Sequence, residues 1–291
     1  MESNIVLAGT DGSDPSFQAV EWAAHTAALR GAALRVIAVP ALPPRMPWPR
    51  AAHSTPDTVA DLIRGSYERA LATAAIRAAK AEPGVVVDTA LVPGRPAATL
   101  AEAAADALML VVGSRGAGGF AALVLGSVSR YVATLAPAPV VVARQGTAAG
   151  HGEVVIGVRD LDQPTAIGFA FEEARLHQAR LRAVHAWHWL LPEMRLAGTE
   201  RAAADARDVT AQAATWLADL LAPWQQKYPD VEVTPDVVYG SPGRMLAVAS
   251  AGADLVVLGR DGAGNSGHPG AGAITHALLN HARSPVAIVP E

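Results

Sequence analysis

Cysteine is absent from this chain of 291 residues. That removes disulfides, thiol catalysis and cysteine-ligated zinc together, although it does not by itself fix the compartment. Lysine is nearly absent too: of 23 basic residues, only Lys80 and Lys227 are lysine. A Walker-type phosphate loop, G-x4-G-K-[ST], therefore has no candidate, because neither glycine-rich loop contains a lysine. A formal net charge of −4 argues against the clustered positive charge of a broad nucleic-acid surface, so nucleic acid is not an expected partner. Long apolar runs are missing as well. Hydrophobic residues make up 51%, yet the runs are strand-sized and broken by Gly or Arg, well short of the ~20 residues of a bilayer span. No membrane partner is expected. The opening MESNIVLAG carries neither a basic segment nor a small-residue cleavage site, so nothing directs export and the cytoplasm is the default location. There is no H-E-x-x-H and no G-x-S-x-G, which leaves a zinc or serine hydrolase little support.

What the chain does hold is glycine in a pattern. An apolar run of strand length, Leu108 to Val112, ends at Gly113 and leads through Gly116, Gly118 and Gly126 to Ser127, where a helix opens. The spacing G-x2-G-x9-G-S thus joins a strand tip to a helix start, a place suited to anions. Glycines let backbone amides approach a ligand without a Cβ in the way, and the helix N-terminus adds unpaired donors and a positive dipole end. One such loop alone is as readily a flexible connection. Here it recurs: Gly94 and Gly240, Gly113 and Gly259, Gly116 and Gly262, Gly126 and Gly272, Pro139 and Pro285 are each 146 apart (240 − 94 for the first pair). The chain therefore reads as a tandem duplication, with domains at 1–145 and 152–291 joined by a small polar linker.

Within the first copy, residues 4–10 read as a buried strand, and Asp11-Gly12-Ser13-Asp14-Pro15 as a turn able to cap a helix from about Ser16 to Arg30. Phe17, Val20, Trp22, Ala24, Ala27 and Ala28 supply the apolar stripe of that helix, and Gly31 stops it. Leu34 to Val39 is the second strand. Residues 40–56 carry six prolines together with Met46 and Trp48, so they form a long irregular loop that could fold over a site. A long helix from about Asp57 to Ala81 follows, then a strand within Val85 to Val92, a helix opened by Pro96, and strands at Leu108 to Val112 and Pro139 to Val142. The second copy repeats this order, ending in a strand from Pro285 to Val289. Strand and helix alternate throughout, which requires parallel strands with helical crossovers. Each copy is thus expected to be a doubly wound α/β domain, a five-stranded parallel sheet with helices on both faces. Ligands of such sheets sit at the carboxyl ends of the strands, where Gly9 to Asp11, Val39 and the Gly113 loop converge.

Other chemistries fit less well. Gly116, Gly118 and Ala121 satisfy the dinucleotide pattern G-x-G-x-x-[GA], as do Gly262, Gly264 and Gly267, but both follow the fourth strand of their copy instead of the first. After Gly126, moreover, no acidic residue occurs before Glu153 to hold a ribose. Of the nine histidines, His185 and His188 are three apart on a strand and point to opposite faces, while His276 and His281 are five apart on a helix, about 140° around it. These are structural or surface residues, and no metal cluster or catalytic set emerges. Trp22, Trp187, Trp216 and Trp224 read as core or interface; the role of Trp48 stays open. Asp11 has two readings, a turn residue and a ligand-binding acid.

The strand ending AGTDGS, the loop G-x2-G-x9-G-S and the terminal strands APAPVVVA and RSPVAIVP together resemble the universal stress protein family in its tandem two-domain form. The resemblance spans nearly the whole chain. It implies a nucleotide-binding, Rossmann-like fold and, in the branch that carries this loop, ATP binding, with magnesium. By that resemblance Gly9 and Asp11 lie near the ribose and metal, and Val39 meets adenine through its backbone. Gly113, Ser114, Arg115, Gly116 and Gly118 surround the phosphates, while Gly126, Ser127 and Ser129 hold the terminal phosphates. Gly157, Gly259, Gly262 and Gly272 are the counterparts in the second copy. There the hydroxyl of Ser127 is replaced by Ala273, and Asp11 by Arg159 in a turn expected to be one residue shorter, so the second site is expected to be the weaker. The resemblance also implies pairing of the two halves within a chain, and a homodimer of chains. The functional expectation is an ATP-dependent regulator or sensor in stress response, with a slow ATPase or a nucleotide-independent scaffold as alternatives.

Overall fold

A computed structural model describes residues 4–40, 56–116, 125–144, 150–159, 163–187, 200–260 and 272–291. The loop carrying Met46 and Trp48, the two glycines Gly118 and Gly262, and His188 lie outside the described residues. The chain divides into two units, Met1–Gln145 and Gly146–Glu291.

The first unit runs β1 (Ile5–Thr10), α1 (Asp14–Arg30), β2 (Ala33–Ala38), α2 (Pro56–Ala81), β3 (Val87–Leu91), α3 (Pro96–Ala103), β4 (Met109–Gly113), α4 (Ser127–Leu135) and β5 (Val140–Ala143). Its strands lie in the order β3-β2-β1-β4-β5, all parallel. Helices α1 and α2 pack on each other, as do α3 and α4, giving two helical layers. Because both sheet faces are covered, the strands are largely apolar, and Val6, Ala8, Leu34, Val36, Leu110, Val111, Val141 and Val142 are fully buried. Helix α1 is capped by Ser13, whose side chain accepts from the Ser16 amide, and it closes at Gly31 in the left-handed conformation. Its buried positions, Ser16-Phe17, Ala19-Val20, Ala23-Ala24 and Thr26-Ala27, recur at helical period. Of the expected stripe, Ala28 is instead exposed and Trp22 half-buried, because the packed face is rotated toward Ala19 and Ala23.

The second unit repeats the plan with β6 (Glu153–Gly157), α5 (Pro164–Leu176), β7 (Arg180–Trp187), α6 (Glu200–Lys227), β8 (Val233–Tyr239), α7 (Pro242–Ala249), β9 (Leu255–Gly259), α8 (Ala273–His281) and β10 (Val286–Val289). Its order is β8-β7-β6-β9-β10, again all parallel. The fold is thus the expected pair of doubly wound parallel sheets. Among the described residues no helix is long and apolar enough to cross a membrane.

Candidate functional site

At the carboxyl ends of β1, β2 and β4 the first unit holds a cavity of about 490 Å³. One side is apolar, formed by Ile37 and Val39 at the end of β2, Leu100 of α3 and Val112 of β4, with Tyr67 of α2 at its edge. The other side is polar, formed by Thr10, Asp11, the Gly113–Gly116 corner and the first turn of α4. Parallel register brings these pieces together, since Gly9 stands opposite Ile37 while its neighbour Ala8 stands opposite Val111.

The polar side is built on a glycine at each turn of the path. A Cβ on Gly113 would stand 2.7 Å from the carbonyl oxygen of Pro15 and 3.0 Å from the amide nitrogen of Ser16, so only glycine lets β4 end against the start of α1. A Cβ on Gly116 would collide with Oδ2 of Asp11, which puts the loop backbone and that carboxylate side by side. The loop ends are held together from below. The Gly126 amide donates to the Ser114 carbonyl at 2.8 Å, and the buried Ser129 hydroxyl donates to the Gly113 carbonyl at 2.6 Å. Gly126 caps α4 and makes no side-chain hydrogen bond to its first-turn amides, while the Ser127 side chain is exposed at the mouth. The first turn therefore presents backbone donors and a positive dipole end to the cavity.

The turn after β1 is a hydroxyl network. The Thr10 and Ser16 hydroxyls lie 2.9 Å apart, and the Ser16 hydroxyl donates to the Ser13 carbonyl at 2.8 Å. Asp11 accepts at Oδ1 from the Ser13 amide at 3.0 Å and the Ser13 hydroxyl at 2.6 Å. One carboxylate oxygen thus fixes the turn while the other faces the loop at Gly116. Two cations, Arg115 and Arg130, line the cavity and are exposed. Behind them Arg144, just past β5, has a guanidinium pKa pushed below the ordinary arginine value, first by burial and then by the charge of Arg115. Positive charge accumulates on this rim, which favours an anion.

Of the predicted residues, Gly9, Asp11, Val39, Gly113, Arg115, Gly116, Gly126, Ser127 and Ser129 line this one cavity. Ser114 is buried beneath it, holding Gly126. Thr10, Ser16, Tyr67, Pro96, Leu100 and Arg130 also line it and were not singled out in the sequence. Arg130 carries a readable signal, since it stands one helical turn after Ser127 and shares its face. Tyr67 carries none, because only tertiary packing sets its position on α2 at the site.

The second unit keeps the frame and changes the contents. Gly157 ends β6, Gly259 ends β9 and Gly272 caps α8 without a side-chain hydrogen bond. The turn after β6 is longer than that after β1, not shorter: the cap of α5 is Gln163, six residues past Gly157, whereas Ser13 is four past Gly9 (163 − 157 against 13 − 9). Position past the strand tip sets Arg159 in the place of Asp11 but does not fix where the following helix is capped. Gln163 is buried, and with its amide oriented to satisfy hydrogen bonding its oxygen accepts from Arg159 at 2.5 and 2.6 Å. Glu291 takes the start of α5, its carboxylate accepting from the amides of Thr165 at 3.1 Å and Ala166 at 3.3 Å. A Cβ on Gly259 would stand 3.0 Å from that carboxylate and 3.1 Å from the Gln163 amide, where Gly113 meets backbone. Burial lowers the Arg159 guanidinium pKa, an effect opposed by the Glu291 charge, and burial likewise lowers that of Arg260. At this strand tip, then, the protein supplies its own carboxylate. His185, whose imidazole lies 3.1 Å from the Val158 carbonyl and edge-on to Trp216, is packed as a buried structural side chain.

Comparison with known proteins agrees with this architecture. The model of the universal stress protein family matches residues 2–144 and again 152–290. A universal stress protein of Mycobacterium tuberculosis (strain H37Rv) is 34% identical over 296 residues, covering 97% of this chain and 96% of the relative. A second from the same strain is 31% identical over 304 residues, covering 97% and 94%. The crystal structure of a universal stress protein from Archaeoglobus fulgidus matches with a TM-score of 0.68 at 20% identity, covering 100% of this chain and 99% of that one, a likeness of fold. The chain belongs to the universal stress protein family, with two tandem domains of that kind.

Proposed function

We propose that the first unit binds ATP, with magnesium, and that occupancy of this site lets the protein act as a nucleotide-dependent regulator or sensor in stress response. The observation that carries the reading is one cavity of about 490 Å³ that joins an apolar slot to a glycine-capped helix start beneath two arginines. Its size lies within the range of small-molecule sites, and its division into an apolar and a cationic side matches a base and a polyphosphate. Adenine would lie against Ile37, Val39 and Leu100, with the phosphates toward Gly113, Gly116 and the amides of Ser127 and Val128. Asp11 is the one acidic residue among the described lining residues, and in this reading its Oδ2 would meet a magnesium ion or a ribose hydroxyl. Its other oxygen is engaged by Ser13, an arrangement suited to binding and not to activating water, so regulation is favoured over turnover.

Acid extraction of the purified protein, followed by chromatographic identification of released nucleotide, tests this reading. Release of adenine nucleotide, or saturable uptake of added MgATP by protein that releases none, is the expected result. Neither release nor uptake would leave the scaffold reading in its place, and sustained phosphate release over many turnovers would favour the ATPase.

A further inference from the structure

The outer faces of the two units differ along one groove. In the second unit it lies between α7 and α8 and encloses about 570 Å³. Its floor is small and apolar: Gly243, Ala247, Ala251 and Ala277. A Cβ on Gly243 would stand 2.8 Å from the Cβ of Ala277, so the two helices meet at close range and leave a smooth channel above the contact. Arg244, His281 and Arg283 line the same groove and are exposed. Among the described residues no acidic side chain pairs with any of the three.

The repeat offset of 146 gives an internal control. It sets Ala277 against Tyr131, His281 against Leu135, Arg283 against Pro137 and Arg244 against Ala98 (277 − 131 for the first pair). In the first unit this position of the face carries Tyr131 and Leu135, 41% and 53% exposed. In the second, the bulky ring is gone and three cationic or titratable residues have been gained. The same offset sets Ser241 against Arg95 and Val248 against Glu102, so the face changes from one cation and one acid beside apolar side chains to Arg244, His281 and Arg283 with no acid among the lining residues.

Length selects the occupant. Ser241, Arg244, Val248 and Ala251 follow one stripe of α7 and the turn beyond it, spanning about 15 Å at 1.5 Å per residue. That is the reach of about five extended residues, more than a compact anion fills. Two unpaired guanidiniums on a chain of net charge −4 select for local negative charge. We propose that the α7–α8 groove docks an extended acidic peptide segment of a partner protein, with carboxylates facing Arg244, His281 and Arg283 and small side chains on the Gly/Ala floor.

The test uses the full chain and a labelled peptide of alternating glutamate and alanine, read by fluorescence anisotropy at low and moderate salt. Binding that weakens with salt is expected, with a loss of about tenfold in the Arg244→Ala/Arg283→Ala double variant, about two rim ion pairs' worth. Ala277→Tyr, which places the first unit's residue in the groove and keeps every charge, should lose a comparable factor while circular dichroism stays unchanged. Binding of the peptide with equal affinity by the wild type and both variants would overturn the proposal, as would no binding by the wild type at low salt. Binding of inorganic triphosphate or anionic vesicles that Ala277→Tyr leaves intact, with no peptide binding, would also overturn it.

Discussion

The two units are one design carried out twice with different chemistry at the rim. Strand order, parallel register and the glycines at the strand tips are shared, as are the left-handed glycines before α3 and α7, Gly94 at φ 147° and Gly240 at φ 153°. What differs is who supplies the negative charge. In the first unit the acid at the strand tip is Asp11, beside Gly116, and the start of α1 is capped by the Ser13 hydroxyl. In the second, Val158 takes the place of the Thr10 hydroxyl and Arg159 that of Asp11, while Glu291 covers the start of α5. Backbone frames are conserved by steric need, since a Cβ at Gly113 would strike backbone and one at Gly157 would stand 2.7 Å from Leu246. Side chains around that frame carry no such constraint, and there the copies have diverged.

Gly116→Asp should break the comparison most strongly. It adds a second carboxylate against Asp11 and the phosphates, a repulsion of about 3 kcal/mol that lowers ATP affinity roughly 100-fold. The sheet should survive, since Gly116 is exposed in a loop. Gly116→Asn, which adds shape without charge, should lose less, and equal losses in calorimetry would show that sterics and not charge set the effect. Ser127→Ala makes the first unit resemble the second at position 273, and removal of one hydroxyl contact to a charged phosphate typically costs about 1.5–3 kcal/mol, one to two decades of affinity. An unchanged dissociation constant would take Ser127 out of the site.

Asp11→Asn retains an acceptor for Ser13 and removes the charge at Gly116. About a tenfold weaker affinity and a flatter dependence on magnesium are expected, with little change in melting temperature. Were the melting temperature to fall while affinity held, Asp11 would be a turn residue only. The smallest effects belong to the second unit. Glu291→Gln removes a carboxylate from a helix start and should cost about 0.3–1 kcal/mol of stability. Combined with Ala273→Ser, it should raise any nucleotide affinity of the second unit by no more than about tenfold, because Arg159 and Gln163 still occupy the strand tip.

The sheets and helices were legible because apolar runs of strand length alternate with helical periods, and the repeat shows that alternation twice. The glycine loop was legible for the same reason. Gly113 is forced by backbone contacts that tolerate nothing larger, and such constraints leave marks in sequence. Tyr67, Leu100 and Glu291 left none, since each reaches its site from a distant element whose local pattern says only that it is a helix or a chain end near a strand. The turn after β6 was misjudged for a related reason: where a helix is capped depends on which backbone amide finds a partner, and Gln163, without a side-chain cap bond, announces nothing.

Calorimetric titration of the full chain with MgATP tests the inequality of the two units most directly. The predicted result is one tight site per chain, with any second site weaker by at least about tenfold. Two sites of equal affinity in each chain, or a single tight site that persists unchanged in Gly116→Asp, would contradict it.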